Sequence, residues 1–178
     1  MEASEVVGFW RDAGPSKWFK RDAAFDAGFS RRFEQAHYAA ARRELEGWLE
    51  TADGALALQI LLDQFPRNHF RDSAHAYATD GLALHFAQRS IAAGVDQHVE
   101  PGLRVFMYLA FEHAEVLDHQ NRAVSLIEPL GNAEFNRYAQ LHRDIIVRFG
   151  RFPHRNPHLG RESTGAEREF LAQGGFSG

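Results

Sequence analysis

The chain contains no cysteine among its 178 residues. Disulfide scaffolds, zinc ribbons, cysteine nucleophiles and thiolate-held iron–sulfur clusters are therefore excluded. Lysine is almost absent as well: Lys17 and Lys20 stand against 18 arginines. Basic character thus rests on planar five-donor forks, which suit carboxylates and phosphates, rather than on hydrated point charges. No apolar run approaches the roughly 18 residues of a membrane span. The acidic opening Met1-Glu2-Ala3-Ser4-Glu5 also lacks the basic region of a signal peptide. A cytoplasmic protein with no membrane partner is expected. A net charge of −4 gives no global attraction to nucleic acid, so no nucleic-acid partner is expected either. Gly-x-Gly-x-x-Gly, Walker, Gly-x-Ser-x-Gly and His-Glu-x-x-His motifs are all missing. The common nucleotide and hydrolase mechanisms have no support, and whether the chain is an enzyme stays open.

What is present has ordinary globular composition, 44% hydrophobic and 25% charged, at a length suited to one domain over residues 1–178. The periodicity is helical nearly throughout. After a first segment with Val6, Val7, Phe9 and Trp10 and a turn over 12–16, Asp22 caps a helix in which Phe25, Phe29 and Phe33 recur every four residues. Thr51 caps a second helix, and the run from Leu56 to Phe65 is apolar on all sides, which predicts burial. Pro66 is expected to end it and to hold Phe65 extended. A third helix is expected from Ser73 or Ala74 to Ala93, with Gly94 closing it, and a short one over 103–108. Another is expected from about Glu112 to Glu128. Asn132 then caps Phe135 to Phe149, a loop follows to Gly160, and Thr164-Gly165-Ala166-Glu167 has the form of a capping box. No segment alternates with period two. The fold class is all-α, a single-domain bundle of antiparallel helix neighbours.

Three constellations could carry chemistry. Asp63-Gln64-Phe65-Pro66-Arg67-Asn68, with Arg71, presents forked and amide donors beside a buried helix, able to clamp an anion or to pair internally with Asp63 or Asp80. Arg148 to Arg161 carries Arg151, His154, Arg155, Asn156 and Arg161 with no acidic residue, and echoes the first element as Phe152-Pro153-His154-Arg155-Asn156. Its local field favours an anion or an acidic neighbour. In the third, a continuous helix would place Glu112, Glu115 and His119 on one face near Gln120. No Glu-x-x-His occurs within this stretch, so this ligand set is incomplete; no metal and no cofactor are expected. His113 with Glu115 is instead the candidate acid–base pair, or a structural answer to the arginines.

These same segments, with Val7-Gly8-Phe9-Trp10, Trp18-Phe19, Phe25-Asp26, Leu159-Gly160-Arg161, Ser163-Thr164 and Phe170-Leu171, resemble the uncharacterised bacterial family designated domain of unknown function 924. Ala110 and Gly165 stand where the family pattern leads one to expect proline. The resemblance implies a tetratricopeptide-like right-handed superhelix of antiparallel helix pairs, with no assigned activity. Its motif positions are Asp63, Gln64, Arg67, Asn68, Arg71, His113, Glu115, Gln120, Arg151, His154, Arg155, Asn156 and Arg161. Two functions are thereby expected. One is binding of a small anionic metabolite in a cleft lined by the two Phe-Pro loops and the His113/Glu115 helix, with acid–base turnover as its extension. The other is a protein-interaction module taking a peptide or partner protein in a concave groove.

Overall fold

A computed structural model describes residues 1–177 and shows helices and turns without a strand among them. None of the described helices is long and apolar enough to cross a membrane. The chain gathers into two compact units. Met1–Arg71 and His75–Ala110 form the first, and Asp72–Ala74 with the residues from Phe111 onward form the second.

In the first unit, α1 (Ala3–Ala13), α2 (Pro15–Trp18), α3 (Ala23–Ala41) and α4 (Ala52–Gln59) supply a large part of the core. The Asp22 carboxylate accepts from the Ala24 and Phe25 amides at 3.0 Å, satisfying two of the donors that open α3. Phe25, Phe29 and Phe33 then fall on one stripe, and the ring of Phe9 on α1 packs against all three at centroid distances of 5.2–5.5 Å. Trp10 meets Phe29 at 5.3 Å, and the Trp18 indole donates to the Trp10 carbonyl at 2.7 Å. Leu56, Leu58, Ile60, Leu61 and Leu62 are essentially inaccessible. Each contributes roughly 1.5–3 kcal/mol by leaving water, which makes this apolar run the centre of the unit.

Pro66 does not end that run. The chain passes from α4 through a π-helical turn, Ile60–Gln64, into α5 (Phe65–His69), and Phe65 is right-handed helical at φ −56°, ψ −48° instead of extended. The Phe65 amide reaches back five residues to the Ile60 carbonyl. Proline has no amide to donate, so the wider turn lets the helix carry it. The carbonyls released there are taken up by side chains: His37 Nδ1 donates to Leu61 O at 2.8 Å, and the Thr79 hydroxyl to Leu62 O at 2.5 Å. That diversion of Thr79 accompanies a second departure. The expected helix from residue 73 starts as a 3₁₀ turn, Ala74–Tyr77, and only becomes α6 at Asp80–Ala92. The 103–108 segment is likewise a 3₁₀ turn, Arg104–Met107, leading into α7 (Leu109–Glu112).

The second unit is built on α8 (Leu117–Ile127) and α9 (Ala133–Phe149), which pack along each other across a short turn. Asn132 caps α9 by accepting from Glu134 and Phe135 at 3.0 and 3.1 Å, and Gly150 closes it at φ 69°. α10 (Gly165–Ala172) opens on the expected capping box of Thr164 and Glu167. Ile145, Ile146 and Phe152 form its core, with Leu141, Phe149, Phe170 and Phe176 packed around them.

Two helical glycines give opposite expectations. A Cβ at Gly54 would lie 2.1 Å from the Trp48 carbonyl oxygen, whereas one at Gly28 meets nothing within 4 Å. Gly28→Ala is expected to stabilise by up to about 1 kcal/mol through helix propensity. Gly54→Ala is expected to destabilise by about 1–3 kcal/mol because backbone must move. Denaturant unfolding of the two variants checks both signs.

Candidate functional site

The first Phe-Pro element lies wholly in the first unit, where acids absorb its donors. Arg67 forms a fork on Asp80 at 2.9 and 3.0 Å and reaches Asp63 Oδ1 at 3.1 Å. Burial opposes the Arg67 charge, but the Asp63 and Asp80 carboxylates outweigh it and hold the guanidinium protonated. Gln64 donates to Asp63 at 2.7 Å. Asn68 donates to Asp26 at 2.8 Å, and Arg71 joins the same carboxylate at 3.1 Å. Gln64 and Arg67 thus pair with Asp63 and Asp80, and Asn68 and Arg71 with Asp26, in two polar clusters beside the π turn.

The second element belongs to the second unit, where the expected helix from Glu112 is not continuous. α7 stops at Glu112, residues 113–116 are non-helical, and α8 starts at Leu117. Glu112, Glu115 and His119 therefore do not share a helical face. Three contacts account for the break. Buried Gln120 donates to the Glu112 and Ala114 carbonyls at 2.6 and 2.7 Å, holding the backbone on both sides of His113. Glu115 accepts the Phe152 amide at 2.8 Å. Arg161 grips Glu115 with both terminal nitrogens, at 2.6 and 2.9 Å. Burial would raise the Glu115 pKa, but Arg161 and the Phe152 amide prevail and hold it below the usual carboxylate range. Glu115 is thus an ionised brace with its acceptors engaged. A helix cannot make these contacts, since its own ladder would consume the carbonyls that Gln120 uses.

The remaining motif residues complete that brace. Arg161 Nε donates to Asn156 Oδ1 at 2.9 Å, and fully buried Asn156 donates to Ser163 at 3.1 Å. Arg151 forms a fork on Glu167 at 2.6 and 2.9 Å. Together with the capping contact from the Thr164 amide, this depresses the Glu167 pKa to about 2. A surface cavity of about 500 Å³ is lined by Arg148, Phe149, Arg151, Thr164, Ala166 and Glu167. Of its two arginines, Arg151 is paired with Glu167 and Arg148 lies over the Phe149 and Phe170 rings.

What the break does create is a cluster of a different kind. Glu112 and His113 at the end of α7 meet His142 from the middle of α9, each offering a ligand or proton-carrying atom within 4.8 Å of the others. Glu112 and His142 are buried, and His113 is partly exposed. His142 Nδ1 lies 2.9 Å from the Tyr138 carbonyl and 3.1 Å from Glu112 Oε1. Phe152 and Phe176 wall the His142 ring at 5.4 and 4.5 Å, and the His154 ring lies 5.4 Å from Phe176. Buried Arg155 stacks over Phe152 at 4.5 Å and acts electrostatically on both His142 and Glu115.

His142 is not among the expected site residues, and Glu112 enters there only with Glu115 and His119 as an incomplete ligand set. A signal for His142 exists: it lies on the buried stripe of α9 with Ala139, Ile145 and Ile146. A histidine in that phase is either a packed core group or a site residue, and periodicity alone does not separate them.

Burial first, then the neighbouring His113, lowers the His142 pKa to about 3, so the imidazole is neutral at pH 7. The unfolded chain therefore binds a proton near pH 6.5 that the folded chain refuses until about pH 3. Stability must fall as pH drops through this window, by up to about 1.4 kcal/mol per pH unit from this group. His142→Phe is expected to flatten the stability profile between pH 6 and 4 relative to the parent chain. Urea unfolding at each pH measures the difference.

Comparison with known proteins agrees with this architecture. The family model described as bacterial protein of unknown function, DUF924, matches residues 6–175. The solved structure of ATU0120, a protein of unknown function from Agrobacterium tumefaciens, is 57% identical to the chain. It superposes at a TM-score of 0.94, over 96% of this chain and 97% of that one. No curated protein matches. With a caps-and-stripes pattern of helices, a braced break after Glu112 and a family match over nearly its whole length, the chain belongs to the DUF924 family.

Proposed function

We propose that the second unit binds a small anionic ligand beside Glu112, His113, His142, His154 and Arg155, and moves a proton to or from it. The observation that carries this reading is the composition of the cluster. One guanidinium, three imidazoles and the buried Glu112 carboxylate collect there, and Arg155 acts electrostatically on both His142 and Glu115. Arg155 supplies the planar fork that suits carboxylate or phosphate. His113, partly exposed, is the group placed to exchange a proton with solvent and ligand. Glu115, Gln120, Arg151, Asn156 and Arg161 serve by holding the backbone behind these groups. A peptide groove would spread its contacts over many helices. Here the polar groups sit on one break, one helix and one turn, which favours a compact ligand.

Thermal melts in phosphate and in di- and tricarboxylates, against chloride at equal ionic strength, test the reading. Stabilisation by about 2.7 kcal/mol at a hundredfold excess over Kd is expected for the parent chain. Arg155→Lys is expected to require at least roughly tenfold more anion for the same shift, because the fork is lost. If Arg155 served only as a structural partner, Arg155→Ala would cost about 3–5 kcal/mol and leave the anion response unchanged. That pattern, or the absence of any anion-specific shift in the parent chain, would sink the proposal.

A further inference from the structure

We infer that Glu112, His113 and His142 form a binding site for one divalent transition-metal ion, zinc in the first instance. The inference rests, for its location, on the cluster read above as a ligand site, and it names the cation that would act there with Arg155.

The donor set is the first reason. Two imidazoles and one carboxylate, each with a ligand atom within 4.8 Å of the other two, make an N₂O set of the type that holds zinc, manganese or iron. Magnesium and calcium favour all-oxygen sets and fit it poorly. At ligand distances of about 2.0–2.2 Å, ligand atoms around a tetrahedral ion lie about 3.3 Å apart. Side-chain rotation over about an ångström closes the gap.

The second reason is preorganisation. The backbone flanking His113 is fixed by the two Gln120 bonds, and the far end of the break by Glu115 on Arg161 and Phe152. His142 comes from a helix, and its ring is walled by Phe152 and Phe176. Its Nδ1 lies 2.9 Å from the Tyr138 carbonyl and 3.1 Å from Glu112 Oε1, so the ring is held beside the carboxylate. A ring nitrogen held by a backbone carbonyl is the arrangement that fixes the tautomer and orientation of a ligating histidine.

Access and charge give the third reason. Glu112 and His142 are buried, whereas His113 is partly open, so an ion has an entry side and three protein ligands leave a coordination position free. A bound ion adds positive charge beside Arg155, and an anionic ligand offsets it. The metal and anion readings therefore concern one site, yet they fail separately.

The test uses the full chain stripped with EDTA and desalted into a chloride buffer. Titration with Co²⁺ alone, followed by visible absorption and then displacement with Zn²⁺, is expected to show one equivalent with the intense bands of four- or five-coordinate cobalt. His113→Gln is expected to weaken Co²⁺ binding at least tenfold, and Glu112→Gln to do the same. His85→Gln, at an exposed position on α6, should leave it unchanged. His113 is partly exposed, so its variant reports even if Glu112→Gln does not fold; circular dichroism checks both. No stoichiometric binding, only the weak bands of six-coordinate cobalt, or binding that His113→Gln leaves intact would overturn the metal site. Phosphate stabilisation of the EDTA-treated chain, measured in parallel, would in that case leave the anion reading standing. Metal binding with no anion effect would do the reverse.

Discussion

The carboxylate of Glu115 ties the second unit together. It gathers Arg161 and the Phe152 amide from positions 46 and 37 residues further along the chain, and it can do so only because the backbone around it is not helical. The break has its own cost, since carbonyls that a helix would satisfy must find other partners. Gln120 offsets it by donating both amide hydrogens to Glu112 O and Ala114 O. Removing the brace would leave a half-buried carboxylate without its cation and the break without a reason to form, so the placement of Glu112 and His113 depends on it. The stability of the second unit and the placement of Glu112 and His113 thus meet at a residue whose own chemistry is spent on position.

One sequence device works by the same logic in both units. Phe65 and Phe152 are each fully buried and pin their segments, and in each case proline follows. The asparagine and an arginine beyond it then share a set of polar partners: Asn68 and Arg71 meet on Asp26, while Asn156 and Arg161 bond directly and Arg161 carries on to Glu115. Arginine suits this use because its fork can address an acid and a second acceptor at once. Arg161 does so with Glu115, Asn156 and the Phe152 carbonyl. The scarcity of lysine fits a chain whose cations serve as fixed braces, since a flexible ammonium holds such geometry less well.

The same networks separate structural arginines from those placed near the cluster. Arg67, Arg71, Arg151 and Arg161 each face a carboxylate through a short fork or pair. Arg155 stacks on Phe152 and acts electrostatically on both Glu115 and His142. Burial disfavours protonation of His142, and the neighbouring His113 and Arg155 add to it, so His142 remains neutral in a place where an exposed histidine would titrate. A neutral imidazole is the form that accepts a proton or a metal, and this electrostatic arrangement keeps His142 in that form.

Much of the scaffold was legible from local pattern. Asp22, Thr51, Asn132 and Thr164 cap the helices expected of them, and the Phe25, Phe29, Phe33 stripe is buried as its spacing requires. Such features are encoded within a few residues, where side chain and backbone meet regardless of the rest of the chain. Legibility failed where a distant group changed the local outcome. Pro66 reads as a stop, yet a π turn carries the helix through it because His37 and Thr79 take up the freed carbonyls. The stretch from Glu112 to Val116 has a plausible helical pattern, yet Gln120, Phe152 and Arg161 outcompete the helical ladder. The sequence by itself determined the helical class, the caps and the residue types available for a site. Only the tertiary structure decided that Glu115 became a brace and that Glu112, His113 and His142 came together. Those contacts join residues far apart in sequence, and no periodicity records which distant donor will win a given acceptor.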